Sequence, residues 1–226
     1  RTVSRSAAFT VSTFQDAYSY NCRSQVFANA QTGNIVLLGQ SLAQGNFSGA
    51  VRYLIPLAAF LAGVYLSQWV RHLWQERGLL HWRQIVVLFE IIMLAAAGFL
   101  PQQYNTLANV MLSFACAMQV DSFRKFHGIS CATTMCIGNM RSAAENLSQY
   151  HMTRQREYRT KAAWYGFIIL AFAVGAAIGA VLTLSVGERA IWVAAGLLLA
   201  GFALMFRRAE GEPTVPVGVC EPPDGD

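Results

Sequence analysis

Four residues stand out by type and spacing as able to do chemistry. Asp16 and Asp121 are carboxylates within or near the end of apolar runs, and Asn34 and Asn139 follow them inside Gly-Asn pairs. The spacing recurs without a gap: 121 − 16 = 105 and 139 − 34 = 105. A fixed offset of this kind marks an internal duplication, and a duplication decides architecture before other signals do. A charge at the centre of a membrane span costs about 2.5–3.5 kcal/mol on insertion scales, and less near a span end. Two carboxylates at equivalent positions are therefore candidates for a proton- or cation-binding pair near a pseudo-two-fold axis. The competing use is structural, each carboxylate capping its own motif helix or pairing with Arg23 or Arg124.

Other polar residues gather around these four. Asn34 and Asn139 could offer amides to a solute or hold broken backbone in place. Asn29, Gln31 and Thr32 add donors and acceptors at the first motif, where the second has Thr133 and Thr134. Glu90 lies inside an apolar run, Leu-Phe-Glu-Ile-Ile, with no acidic counterpart in the second half. It reads either as a proton-coupling group or as the partner of a basic residue on another span. Arg141, just after the second motif, reads as an anion or lipid-phosphate contact, or as an arginine snorkelling to the interface. His72, His81, His127 and His151 show no metal-ligand spacing, and no nucleophile–base–acid set is present. No catalytic residue, metal or cofactor is expected.

The elements that must hold these residues are those of a membrane. Of 226 residues, 54% are hydrophobic and 13% charged, against about 25% charged in an ordinary soluble domain. The net charge of +5 comes from short basic clusters between apolar runs. That is the pattern of cytoplasmic loops, and it excludes a nucleic-acid footprint. The five cysteines, an odd number, have no metal-ligand spacing and read as small apolar fillers. Apolar runs at 51–70, 83–100, 105–121, 162–184 and 190–206 predict spanning helices, and 7–22 a shorter one, polar along Thr10, Thr13, Asp16 and Tyr20. Pro56 lies near the start of its span or kinks it. The polar segments at 25–44 and 130–149 each open on a motif, with Thr32 or Asn34 as helix caps.

Placing the basic loops at 71–83, 151–161 and 207–208 in the cytoplasm leaves each half with three spans and one motif segment that does not cross. An odd count forces the halves into opposite orientations, as in many transporters. The expected fold is an all-α polytopic membrane protein of about six spans. It comprises two three-span inverted repeats, 1–104 and 105–209, each with a broken or re-entrant motif segment, and a disordered tail at 210–226. The rival count lets both motif segments cross, giving about eight spans and parallel repeats. Both termini fall in the cytoplasm on the first count. Gly175 and Gly179 have small-xxx-small spacing, which serves either a homodimer contact or packing within the chain.

The run Phe27-Ala-Asn-Ala-Gln-Thr-Gly-Asn34, the preceding Gln15-Asp16-Ala17 and the later Gly138-Asn139-Met140-Arg141 resemble the YoaK-like family of uncharacterised bacterial membrane proteins. The resemblance extends over nearly all of residues 7–206. It implies a bacterial inner-membrane protein, sometimes taken for a small-molecule permease, and brings no substrate. The resulting expectation is a transporter or channel for a small polar solute or ion, with proton coupling as an option. Its central site would hold Asp16, Asp121, Asn34, Asn139, Gln31, Thr32, Asn29 and Glu90. The expected partners are the lipid bilayer and the solute, with a second copy of the chain as an option and nucleic acid excluded. The alternatives are an integral-membrane enzyme acting on a lipid-linked substrate, or a non-transporting scaffold.

Overall fold

The computed structural model describes residues 2–74, 82–122, 125–126, 129–130 and 136–209, with side chains over 10–73, 84–120 and 136–203. Arg124, Thr133, Thr134, much of the basic 71–83 loop, the tail and the Asp121 side chain lie outside these residues. The described chain is helical, apart from a hairpin of two-residue strands, β1 (Lys125–Phe126) and β2 (Ile129–Ser130). The helices are α1 (Thr2–Cys22), α2 (Gln31–Ala43), α3 (Phe47–Trp74), α4 (Trp82–Ala97), α5 (Asn105–Ser122), α6 (Cys136–Thr153), α7 (Arg156–Val186) and α8 (Ile191–Ala209). Short 3₁₀ turns precede α5 and α8.

The duplication reappears in the packing. Helices α2 and α6 open at Gln31 and Cys136, again separated by 136 − 31 = 105. Helix α1 packs along α7 and α5 along α3; α4 lies on α5 and α8 on α1; α2 covers α3 and α6 covers α7. Each of these contacts survives the exchange of α1–α4 for α5–α8. The match extends to residues. Gly175 of α7 meets Thr13 of α1, while Val70 and Met118, their counterparts at the 105 offset, share one apolar cluster.

Equivalent helices cross in opposite directions. Moving up α1 from Ser12 to Arg23, the partner on α5 falls from Gln119 to Asn105. Moving up α4 from Val87 to Ala95, the partner on α8 falls from Phe202 to Trp192. Two-fold exchange about an axis perpendicular to the helices produces this pattern, whereas parallel repeats would run equivalent helices the same way.

Two helical stretches, Phe47–Leu73 and Arg156–Ala203, are long and apolar enough to cross a membrane. Only 22% of the apolar 18-residue window in each is buried within the chain, and large apolar side chains such as Leu184, 81% exposed, face outward. The buried core is small and central: Val11, Phe14, Tyr18, Leu94, Leu112, Ile191 and Leu198, from α1, α4, α5 and α8. Helix α2 has 13 residues and rises about 20 Å, short of a hydrocarbon core of about 30 Å. Pro56 lies well inside α3 rather than near its start. The apolar run expected to 100 ends as helix at Ala97, because Gly98–Leu100 turn toward Pro101 and a residue before proline is biased out of helix.

Candidate functional site

The site is built on α1. Its side chains at Ser12, Gln15, Asp16, Ser19 and Arg23 are all buried, and spacings of three and four put most of them on one helical face. Helix α5 answers with Asn105, Asn109, Ser113, Cys116 and Gln119, spaced by the same rule. The two faces meet along the antiparallel crossing as a polar seam. Ser12 Oγ donates to Gln119 Oε1 at 2.8 Å. The Cys116 thiol donates to Gln15 Oε1, and Gln15 Nε2 donates to Glu90 Oε1 at 3.1 Å. Asn109 Nδ2 donates to the Arg23 carbonyl at 2.7 Å.

The seam is not fully satisfied. Among the described residues, Glu90 Oε2, Ser113 Oγ and Asn109 Oδ1 have no hydrogen-bond partner, although all three are buried. A buried polar atom left alone costs about 1–3 kcal/mol.

Asp16 sits at the edge of the seam and faces the first motif. Its Oδ1 accepts from the backbone N–H of Asn29 at 2.7 Å and of Ala30 at 3.1 Å. The Asn29 amide lies beside the same carboxylate without a well-formed bond. Ser19 Oγ accepts from the Ala28 N–H at 3.0 Å. The loop between α1 and α2 turns through Ser24 and Gln25, both at positive φ, and α1 therefore holds its far end. Asp16 thus serves as a brace for the N-terminal approach to α2, supplying the negative charge that a helix start favours.

Asn34 and Thr32 do not cap α2. The cap position is Ala30, which makes no side-chain capping bond, and Thr32 is exposed. Asn34 instead clamps the loop: its Nδ2 donates to the Phe27 carbonyl at 2.7 Å and to Gln31 Oε1 at 2.9 Å, and its Oδ1 accepts from the Phe27 N–H at 3.0 Å. The loop folds back over the first turn of α2, so Asn34 reaches both the N–H and the carbonyl of Phe27. Gly33 permits this fold, since a Cβ there would come 2.8 Å from the Phe27 ring.

Arg23 does not pair with Asp16, which lies two helical turns away. Its guanidinium donates to Tyr18 Oη at 3.0 Å, Asn105 Oδ1 at 3.1 Å and the Ala97 carbonyl at 2.9 Å. It is fully buried and ties the end of α4 and the start of α5 to α1. Glu90 likewise takes an amide rather than a basic residue as partner. Cys116 acts as a hydrogen-bond donor, not only as apolar filler. Asn139 is buried at the start of α6. Arg141 is exposed and pairs with Glu145 at 2.6 Å. Of the residues expected to meet, Asp16, Asn29, Gln31 and Asn34 come together at the first motif, and Glu90 joins Gln15 on the seam. Ser12 on α1 and Asn109, Ser113 and Gln119 on α5 were not expected, although the polar periodicity of α5 is a signal for the last three. Thr10 and Thr13 lie where α7 packs closely: a Cβ at Gly175 would collide with both residues, and one at Gly179 would meet Phe14 and Ala17.

No curated protein and no solved structure matches the chain. One family model does, over residues 6–204: DUF1275, described as a protein of unknown function. That match takes in every residue named on the seam, and the chain belongs to this family of unknown function.

Proposed function

We propose that the chain is a small transporter or channel of the bacterial inner membrane, built from two inverted three-span halves. Helices α1, α3 and α4 would cross in one half and α5, α7 and α8 in the other. Helices α2 and α6 would not cross. The narrower YoaK-like resemblance fits the uncharacterised family and belongs to this reading. One observation carries it: the buried, under-satisfied polar seam lies where the equivalent helices α1 and α5 cross in opposite directions. In inverted-repeat transporters the solute site lies near the bilayer midplane at the repeat interface. Polar groups at that depth face a cavity or one another. The outward-facing apolar surface supports a lipid surround, since exposed apolar area on this scale needs a partner.

The solute would be small and polar, because the seam offers amides, hydroxyls, a thiol, the Arg23 guanidinium and the Glu90 carboxylate, with Asp16 at its edge, rather than a broad apolar pocket. Asp16, Asn29, Gln31, Asn34 and Thr32 belong to the motif segment that shapes one approach. Asp121 and Asn139 belong to the equivalent segment of the other half.

The test is uptake into liposomes containing the purified chain, with inorganic ions, amino acids and sugars as probes. Saturable uptake of one class is expected. It should fall at least tenfold in the double variant Gln15→Leu, Gln119→Leu while the protein still elutes as a single folded species. Uptake unchanged in that variant would remove the seam as the route.

A further inference from the structure

Within the seam, Glu90, Gln15 and Cys116 form a chain of hydrogen bonds that the solute reading alone does not use. Glu90 comes from α4, Gln15 from α1 and Cys116 from α5, and all three are fully buried. The Gln15 amide is polarised across the chain. It presents its N–H to Glu90 Oε1 and its oxygen to the Cys116 thiol. Glu90 Oε2 has no partner among the described residues.

We propose that Glu90 is a proton-exchange site and that the Gln15 amide couples its protonation state to α5 through Cys116; this deepens the transport reading above and rests on it. Glu90 Oε1 accepts from Gln15 Nε2, an arrangement that suits the deprotonated carboxylate. On loading, a hydronium ion in the open pathway gives its proton to the free Oε2. One O–H bond forms on Glu90, one breaks in hydronium, and water remains. The neutral carboxyl is then a donor as well as an acceptor. Rotation of the carboxyl about its Cγ–Cδ bond brings that O–H to Gln15, whose amide turns over with it and offers its oxygen to Glu90 and its N–H to the Cys116 sulfur. The three-way contact between α1, α4 and α5 thereby has two arrangements of similar shape. On unloading, the proton passes to water on the other side and the amide turns back.

The surroundings suit such a site. The titratable groups facing Glu90 among the described residues are Cys116 on α5 and, flanking the same thiol, Asp16 on α1. Helix α8 brings Ala194 and Leu198 to the neighbouring core, and Val70 of α3 joins the apolar cluster of Val86, Phe89 and Met118. No cation among the described residues pairs with Glu90, so the proton is the partner that neutralises it. Position 195, the counterpart of Glu90 at the 105 offset, is alanine. The device therefore occurs once per chain, not once per repeat.

The test is infrared difference spectroscopy of the full chain in lipid, stepped between acid and alkaline pH. The protonated-carboxyl C=O band should appear and vanish reversibly, be lost in Glu90→Gln and persist in Asp16→Asn. Gln15→Leu should keep the band but move its frequency, because the amide partner is gone. If Glu90→Gln does not fold, Glu90→Asp decides, with the band expected at a shifted frequency. A band that persists unchanged in Glu90→Gln or unmoved in Glu90→Asp overturns the proposal, as does a wild type with no titrating carboxyl band. These readings do not depend on solute movement. A Glu90 band in a protein that carries nothing would therefore sink transport and leave the proton site standing.

Discussion

Asp16 shows how the same residue type can serve two purposes. A carboxylate within an apolar run suggests ion handling, yet this one has two backbone N–H groups on Oδ1, while Glu90 has one neutral donor and a free oxygen. Hydrogen bonds to a charged group are each worth about 1.5–3 kcal/mol. Asp16→Ala should therefore destabilise the fold by about 2–3 kcal/mol, read from thermal or denaturant unfolding in detergent. Asp16→Asn should cost less, since an amide oxygen still accepts both N–H groups. Thr32→Ala, at an exposed position, should leave stability unchanged. A motif threonine that proved as costly as Asp16 would contradict this assignment. The sequence could rank Asp16 as important but could not separate brace from binder. The deciding partners, Asn29 and Ala30, are brought to it by a turn whose left-handed residues, Ser24 and Gln25, are not the glycines that usually announce such a conformation.

At the scale of elements, two contacts fix the arrangement of the seam. Arg23 reaches from α1 to the last carbonyl of α4 and to Asn105 at the start of α5. Arg23→Met keeps much of the apolar stem and removes the donors, leaving buried acceptors alone at about 1–3 kcal/mol each. Loss of at least 2 kcal/mol in unfolding free energy is expected, and a change within error would contradict the latch. Gly175 lets α7 approach α1 where Thr10 and Thr13 pass. Gly175→Val should cost about 1–3 kcal/mol by overpacking, whereas Gly138→Ala, in open space, should cost nothing measurable in the same assay. The helices themselves were legible because their apolar runs are long. The polar spacing of Asn105, Asn109, Ser113, Cys116 and Gln119 was visible too, but its meaning was not. Its partner face on α1 lies about a hundred residues away in sequence, and local periodicity carries no information about which helix will cross which.

For the whole molecule, the duplication is the feature that sequence and structure share most fully. The offset of 105 between the motifs also relates the openings of α2 and α6, and helix contacts are preserved when the halves are exchanged. The proposed orientation of the halves rests on the charges of loops; α1 runs antiparallel to α5 and α4 to α8, as inverted halves require. The most direct measurement is the sidedness of two equivalent exposed positions, Gln44 after α2 and Gln149 near the end of α6. Each would be changed to cysteine in a background without other cysteines and treated with a membrane-impermeant maleimide in oriented vesicles. Inverted halves predict that Gln44→Cys and Gln149→Cys react from opposite sides of the membrane. Labelling of both from the same side would contradict the inverted arrangement and the transport mechanism built on it.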